Sequence, residues 1–218
     1  MRTSKPRPTV ALLIGPILAV GLGVASFWLL AEAPSTGASS FWNGLAVNGS
    51  QYTRFGSIEE MTDFADVVVL GHMTAVSRGR VIVGDPADGE RGKAYYLSAS
   101  VVIDEVLAGS LLDPSGTTII VELFAPNVDA IPTLIADVPA EQTIYFLINK
   151  AHHPANAGLS TKQLAFEAGY YEIIGDQAVF RNVGGAARAR PDLDAADPLA
   201  ILDGRSFSDV VALIRALD

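Results

Sequence analysis

The longest alternating pattern of hydrophobic and polar positions lies at residues 65–109. An apolar run at 67–70 passes into alternation at 71–76, which predicts a buried strand that bends at Gly71. Residues 95–106 then alternate with a period of two, and one face collects Tyr95, Leu97, Ala99, Val101 and Ile103. Such a period predicts a second long strand with one face on a core and the other in solvent.

Shorter apolar segments predict the rest of a sheet around this pair. Further strands are predicted at 81–83, 117–123, 143–148, 170–174 and 178–182. The last two are predicted to form a hairpin across Gly175 and Asp176, because that dipeptide is a turn signal. The segment 143–148 is typical of a central strand, since aromatic and β-branched residues dominate it. Turns and loops are predicted at 77–80, 84–93, 125–140 and 184–203.

Two amphipathic helices are predicted at the ends of the sheet region. Ser57 and Glu60 stand in capping-box positions for a short entry helix, and Ser206 and Asp209 do so for a C-terminal helix. The C-terminal helix has one apolar face, formed by Phe207, Val210, Val211, Ile214 and Leu217. Strands do not alternate with helices, so the predicted fold class is mainly β: a small antiparallel or mixed OB-like barrel with these two helices at its periphery.

The N-terminal segment predicts an anchor in a membrane. Residues 1–8 carry three basic side chains and no acid, and residues 9–31 form an uncharged stretch of 23 residues. This length favours a transmembrane signal-anchor over a cleavable signal, although Ala31-Glu32-Ala33 also fits a small-x-small cleavage site. The basic flank places the N-terminus in the cytoplasm and the rest of the chain outside. Secretion after cleavage is the alternative.

Residues 34–56 are rich in Ser, Gly and Asn and predict a linker, which leaves 57–218 as the extracytoplasmic β-barrel domain. Phe41 and Trp42 are unusual in a flexible linker. They predict either docking on the domain, which we favour, or contact with the lipid interface.

Charge and cysteine content exclude several functions. Beyond residue 31, 12 of the 15 Lys and Arg residues remain against all 24 Asp and Glu residues, which gives a formal charge of −12. Nucleic acid is therefore not an expected partner, because its binding depends on Lys and Arg. Cysteine is absent, which excludes disulfides, a thiolate nucleophile and a cysteine-based zinc site.

Four segments, 57–60, 65–73, 101–109 and 144–147, resemble a class of exported bacterial proteins of unassigned function with the pattern "aDvVvvG … evLkG … yllFL". The same order is similar to netrin-module and tissue-metalloprotease-inhibitor domains over about residues 57–182. The resemblance implies an OB-like fold. It does not imply protease inhibition, which uses a cysteine in those relatives, and Ala108 stands where the bacterial pattern commonly has Lys.

Two groups of side chains are weak candidates for a metal site. Asp85, Asp88 and Glu90 lie close together in a glycine-bearing loop, but their spacing differs from that of a calcium loop, which favours a solvated loop. His152 and His153 are adjacent, so their rings point in opposite directions in an extended segment. His72 is expected to be a hydrogen-bonded strand residue. Asp192, Asp194 and Asp197 raise the same possibility of a calcium site, and a solvated loop is again the favoured interpretation.

The chain has no P-loop and no G-x-S-x-G, S-x-x-K or H-E-x-x-H motif, and no cofactor is implied. We therefore expect a membrane-tethered binding or interaction module, such as an accessory subunit of an envelope complex with an unidentified protein partner. The alternative is a periplasmic or secreted ligand- or metal-handling protein, or a hydrolase, with its site in loops 84–93, 124–141 and 150–168. Histidines or acidic residues clustered around one pocket would favour the alternative.

Overall fold

The computed structural model describes residues 36–45, 55–85, 89, 92–153, 156–175, 177–189 and 197–217, which belong to the unit Thr36–Asp218. The fold is mainly β, as predicted. Its strands are β1 Val67–Val83, β2 Lys93–Gly109, β3 Thr118–Ala125, β4 Thr143–Asn149, β5 Tyr171–Ile173, β6 Val179–Val183 and β7 Ala186–Ala189. Its helices are α1 Thr36–Gly44, α2 Ile58–Phe64, α3 Ile131–Ala136, α4 Thr161–Glu167 and α5 Phe207–Arg215, with a 3-10 helix at Pro198–Leu202.

Strands β1 and β2 form a long antiparallel hairpin, which confirms the predicted pair. The register shifts at Gly71, as predicted, and a Cβ there would lie 2.3 Å from the carbonyl oxygen of Val102, so only glycine fits this bend. The predicted turn at 77–80 is wrong. The chain continues as one strand from Arg78 to Val81 with a further shift of register, because a glycine can mark a bulge as well as a turn.

Five strands pair in a ring. β2 pairs with β1 and β3, β3 pairs in parallel with β5, β5 pairs with β4, and β4 returns to β1. The seven-stranded sheet thus closes on itself in part, and β6 and β7 extend it beyond the ring. Strand β4 is buried at every residue and has neighbours on both sides, which confirms its central position.

The inner faces of the ring strands share one hydrophobic core, which α1 and α3 complete. Phe41 and Trp42 of α1 are fully buried in this core, and the Trp42 ring lies 6.4 Å from that of Tyr145. Part of the segment predicted as a linker is therefore a helix docked on the domain. α3 contributes Ile131 and Leu134 from the predicted loop 125–140, where the prolines keep the helix to 6 residues.

The outer faces of β1 and β4 are covered by a second core, to which α2, α5 and the β6–β7 hairpin contribute. Both helices were predicted. The Ser57 hydroxyl accepts a hydrogen bond from the Glu60 backbone N–H at 3.2 Å, so the α2 cap forms. The capping box predicted at the start of α5 does not form, because the Ser206 hydroxyl forms a hydrogen bond with the Ser208 hydroxyl instead. The apolar face of α5 is nevertheless buried as expected.

The predicted hairpin between 170–174 and 178–182 is wrong. β5 and β6 both pair antiparallel with β4, on the side away from β1, so they run in the same direction and cannot pair as a hairpin. The true hairpin joins β6 to β7 across Gly184 and Gly185, whose φ angles are 62° and 86°. The segment 184–203, which was predicted as a loop, therefore contains strand β7 near its start.

None of the helices in the described ranges is long and apolar enough to cross a membrane. The predicted span at 9–31 and the basic segment 1–8 lie outside those ranges.

Candidate functional site

A buried cluster of charged side chains lies on the outer face of the ring, and we call it the Arg80 cluster: Arg80, Glu122, Lys150, Glu167 and Glu172. Glu122 and Glu172 lie at the centre of this cluster. Glu122 of β3 pairs with Glu172 of β5, and both side chains point outward because the neighbouring residues on each strand point inward. Glu122, Lys150 and Glu167 are at most 8% exposed. Buried charges are costly unless they are paired, so the contacts within this cluster determine whether it can form.

Arg80 joins β1 to β3 and α4 through two carboxylates. Its Nη1 and Nη2 atoms lie 2.5 and 2.9 Å from the Oε1 and Oε2 atoms of Glu167, which is a bidentate pair. Nη2 also lies 2.9 Å from Oε2 of Glu122. The bulge at 78–81 places this arginine on the outer face and so aims it at α4.

Lys150 lies between Glu122, which it shares with Arg80, and Glu172. Its Nζ atom is 2.6 Å from Oε2 of Glu122 and 3.5 Å from Oε2 of Glu172. Burial raises the pKa of Glu172 to about 7. Glu172 therefore adds its negative charge to the cluster only as the pH rises through neutrality.

Aromatic rings surround this cluster at the surface. The Arg80 guanidinium lies 5.6 Å from the ring centroid of Tyr96 and 5.9 Å from that of Tyr170. Tyr96 stacks edge-on against Phe124 at 5.6 Å, and Tyr170 contacts Phe166 at 5.5 Å. Phe166 is 56% exposed, and the other three rings are partly exposed. We call these four rings with Arg80 the aromatic face.

A second site is a small cavity at one end of the sheet, which we call the His152 cavity. Its volume is about 100 Å³, and its lining residues are Asp66, Ser110, Leu111, Leu112, Asn149, His152 and Tyr171. The segments that meet there are the start of β1, the β2–β3 loop, the end of β4, the segment after it and β5. Asn149 and Tyr171 are almost fully buried, whereas the His152 side chain is 52% exposed.

The Asp66 carboxylate organises this cavity. Its Oδ2 atom accepts a hydrogen bond from the Asn149 backbone N–H at 2.7 Å and lies 2.9 Å from Nδ1 of His152. A carboxylate only accepts, so the histidine donates from Nδ1, and Nε2 of the neutral ring is left with its lone pair. The hydroxyl of Tyr171 accepts from the Leu112 N–H at 3.0 Å.

Of the residues predicted as metal candidates, the structure describes Asp85, His152 and His153, and these form no group that could hold a metal ion. Asp85 is exposed at the end of the β1 segment, and Asp88 and Glu90 lie outside the described ranges. His152 contacts Asp66, whereas burial and then the charge of Lys150 lower the pKa of His153. No three His, Asp or Glu residues of the described part of the chain are placed to hold a metal ion.

Asp197 and His72, the other candidates that the structure describes, have structural partners. Asp197 is buried, where it accepts hydrogen bonds from the Leu199 N–H and the Gln177 side chain. Asp192 and Asp194 fall outside the described ranges. His72 lies 3.3 Å from Asp104 across the β1–β2 pair and is partly buried, as expected for a strand histidine.

Sequence reasoning missed the Arg80 cluster and the partner of His152. Arg80 and Glu167 are 87 positions apart, and Asp66 and His152 are 86 apart. The only local signal was the charge of Glu122 within an otherwise apolar strand, and a polar residue on an alternating strand ordinarily faces solvent.

No protein-family model, curated protein or solved structure matches the chain.

Proposed function

We propose that this protein is a membrane-tethered, extracytoplasmic binding module, built on an OB-like barrel, that contacts a protein partner through the aromatic face. The observation that carries the proposal is the grouping of four partly exposed aromatic rings around one arginine. Aromatic residues and arginine are the types most enriched in the centres of protein interfaces.

Rigidity supports this use of the aromatic face. Arg80 is held by two carboxylates, and Lys150 lies 4.9 Å from the Tyr96 ring centroid on the same face. Side chains already fixed in place lose little conformational entropy when a partner binds. The buried Arg80 cluster thus serves as a support beneath the rings, while Phe166 extends furthest into solvent.

The ring order supports the OB-like part of the proposal, which includes the suggested relationship to netrin-module domains. A five-stranded ring that mixes antiparallel pairs with one parallel pair fits an OB-like barrel. α3 lies between β3 and β4, and α2 precedes β1. The membrane tether at 9–31 and the extracytoplasmic location come from the charge pattern of the first 31 residues.

Phe166→Glu tests the aromatic face. The full-length protein is recovered from detergent-solubilised membranes, and the co-purifying proteins are identified by mass spectrometry. We expect a stoichiometric partner with the wild-type protein and at least a tenfold loss of it with the variant, since an unpaired charge at the centre of an interface costs more than 1.4 kcal/mol.

Ile201→Glu is the matched control, because Ile201 is an apolar side chain outside the aromatic face that is 68% exposed in the 3-10 helix. It should leave recovery of the partner unchanged. Wild-type protein recovered alone and monomeric would refute the proposal, and equal loss with both variants would refute the role of the aromatic face.

A further inference from the structure

The His152 cavity brings together the three residue types of a nucleophilic hydrolase. Asp66 fixes the His152 ring through Nδ1, so Nε2 is the nitrogen that can accept a proton. Ser110 lines the same cavity and is exposed, and its hydroxyl forms no hydrogen bond within the described residues. Such a hydroxyl is available to a base once a ligand has ordered the site, and nucleophile–base contacts are often loose in unliganded enzymes.

We propose that Ser110, His152 and Asp66 form an acyl-transfer site that hydrolyses small acyl esters. Ser110 is the nucleophile and His152 is the general base. Asp66 is a positioning residue that holds the ring in one tautomer and stabilises the imidazolium. This activity is independent of the aromatic face, because none of the residues that line the cavity belongs to it.

The reaction balances with water as the only co-reactant. His152 Nε2 takes the proton of the Ser110 hydroxyl while Oγ bonds to the ester carbonyl carbon. The tetrahedral intermediate then breaks its bond to the alcohol oxygen, which receives that proton from His152. Water next gives a proton to His152 while its oxygen bonds to the acyl carbon. The bond from that carbon to Oγ then breaks and His152 returns the proton to Oγ, which leaves a carboxylic acid and the free Ser110 hydroxyl.

One backbone group next to Ser110 suits the oxyanion of this intermediate. Leu111 directly follows Ser110, and its N–H donates no hydrogen bond to another described residue. The N–H after the nucleophile is a common oxyanion donor in serine hydrolases. The cavity volume of about 100 Å³ suits a short acyl group such as acetyl.

A fluorophosphonate probe, which reacts with activated serines, tests the proposal on the purified full-length protein. We expect a covalent adduct that peptide mass spectrometry places on Ser110, and faster hydrolysis of 4-nitrophenyl acetate than of 4-nitrophenyl octanoate. Ser110→Ala should abolish both signals. Ser115→Ala, in the same loop but outside the cavity, should behave as wild type, since its hydroxyl is bound to Asp113.

Two further variants separate chemistry from structure. His152→Gln should slow formation of the adduct by about 100-fold or more and remove its loss of rate in acid. Asp66→Asn should slow it while the acid limb remains, provided that thermal melts show both variants to be folded. An adduct absent from Ser110, or formed equally fast in His152→Gln, would overturn the proposal.

Discussion

The charge of Glu172 depends on its position in the fold. Burial raises its pKa to about 7, even though Lys150 lies 3.5 Å away. Its Oε2 atom shares that lysine with Glu122, which takes the shorter contact of 2.6 Å. Loss of the proton from Glu172 therefore adds to the buried Arg80 cluster a negative charge that is poorly solvated.

We expect this residue to make the protein less stable as the pH rises. In the unfolded chain Glu172 has its ordinary pKa of 4.5, so between that value and about 7 only the folded state holds the proton. The stabilisation is complete below pH 4.5 and is lost as the pH rises through about 7. The loss should be about 2–3 kcal/mol, measured by urea denaturation at a series of pH values from 5 to 9.

Glu172→Gln is the control for this effect, because glutamine keeps the shape of the protonated acid. The variant should have a flatter stability profile between pH 5 and 9 than the wild-type protein. The same slope in both proteins would assign the pH dependence to other groups.

Single residues also show where sequence patterns stop being informative. The alternation in 95–106 correctly placed Leu97, Ala99 and Val101 in the core. A polar residue on an alternating strand ordinarily faces solvent, whereas Glu122 of β3 is 4% exposed. Alternation assigns a face of the sheet, but what covers that face depends on Arg80, Lys150 and α4, which come from distant segments.

At the scale of elements, local chemistry predicted the helices that have both a cap and an apolar stripe. α2 and α5 have these signals and form. α4 was not predicted, because its exposed face provides no apolar period. Ser160 and Gln163 do form a capping box at its start. β7 has the sequence AARA, which has little strand propensity, and pairing with β6 determines its conformation.

α1 should behave as part of the folded domain. We expect Trp42→Ala to lower the free energy of unfolding by about 3–5 kcal/mol, because the indole is fully buried and a cavity would replace it. In a Trp28→Phe background, Trp42 is the single tryptophan, and its fluorescence should be shielded from acrylamide until the protein unfolds.

Asn43→Ala provides the comparison within the same helix, since Asn43 is exposed. It should change stability by no more than about 0.5 kcal/mol. Free access of acrylamide to Trp42 in the native protein would mean that this segment is a tether after all.

At the scale of the molecule, the absence of cysteine allows a direct test of orientation. We expect a membrane-impermeant maleimide to label Ser77→Cys in intact spheroplasts, because Ser77 is exposed on β1 and the domain is proposed to lie outside the cytoplasm. Ser4→Cys, in the basic segment before the predicted anchor, should react only after lysis. The cysteine-free wild-type protein is the blank, and the reverse pattern of labelling would contradict the proposed orientation.

The amino-acid sequence by itself determined the β class of this protein, its two long leading strands, the bend at Gly71 and the helices α2 and α5. These features depend on backbone propensity and on the period of neighbouring side chains, which act over a few residues. The tertiary structure alone decided the parallel contact of β3 with β5, the closure of β4 on β1, the Arg80 cluster and the pairing of Asp66 with His152. Each of these joins segments that are distant along the chain, so its register depends on how all the strands pack together.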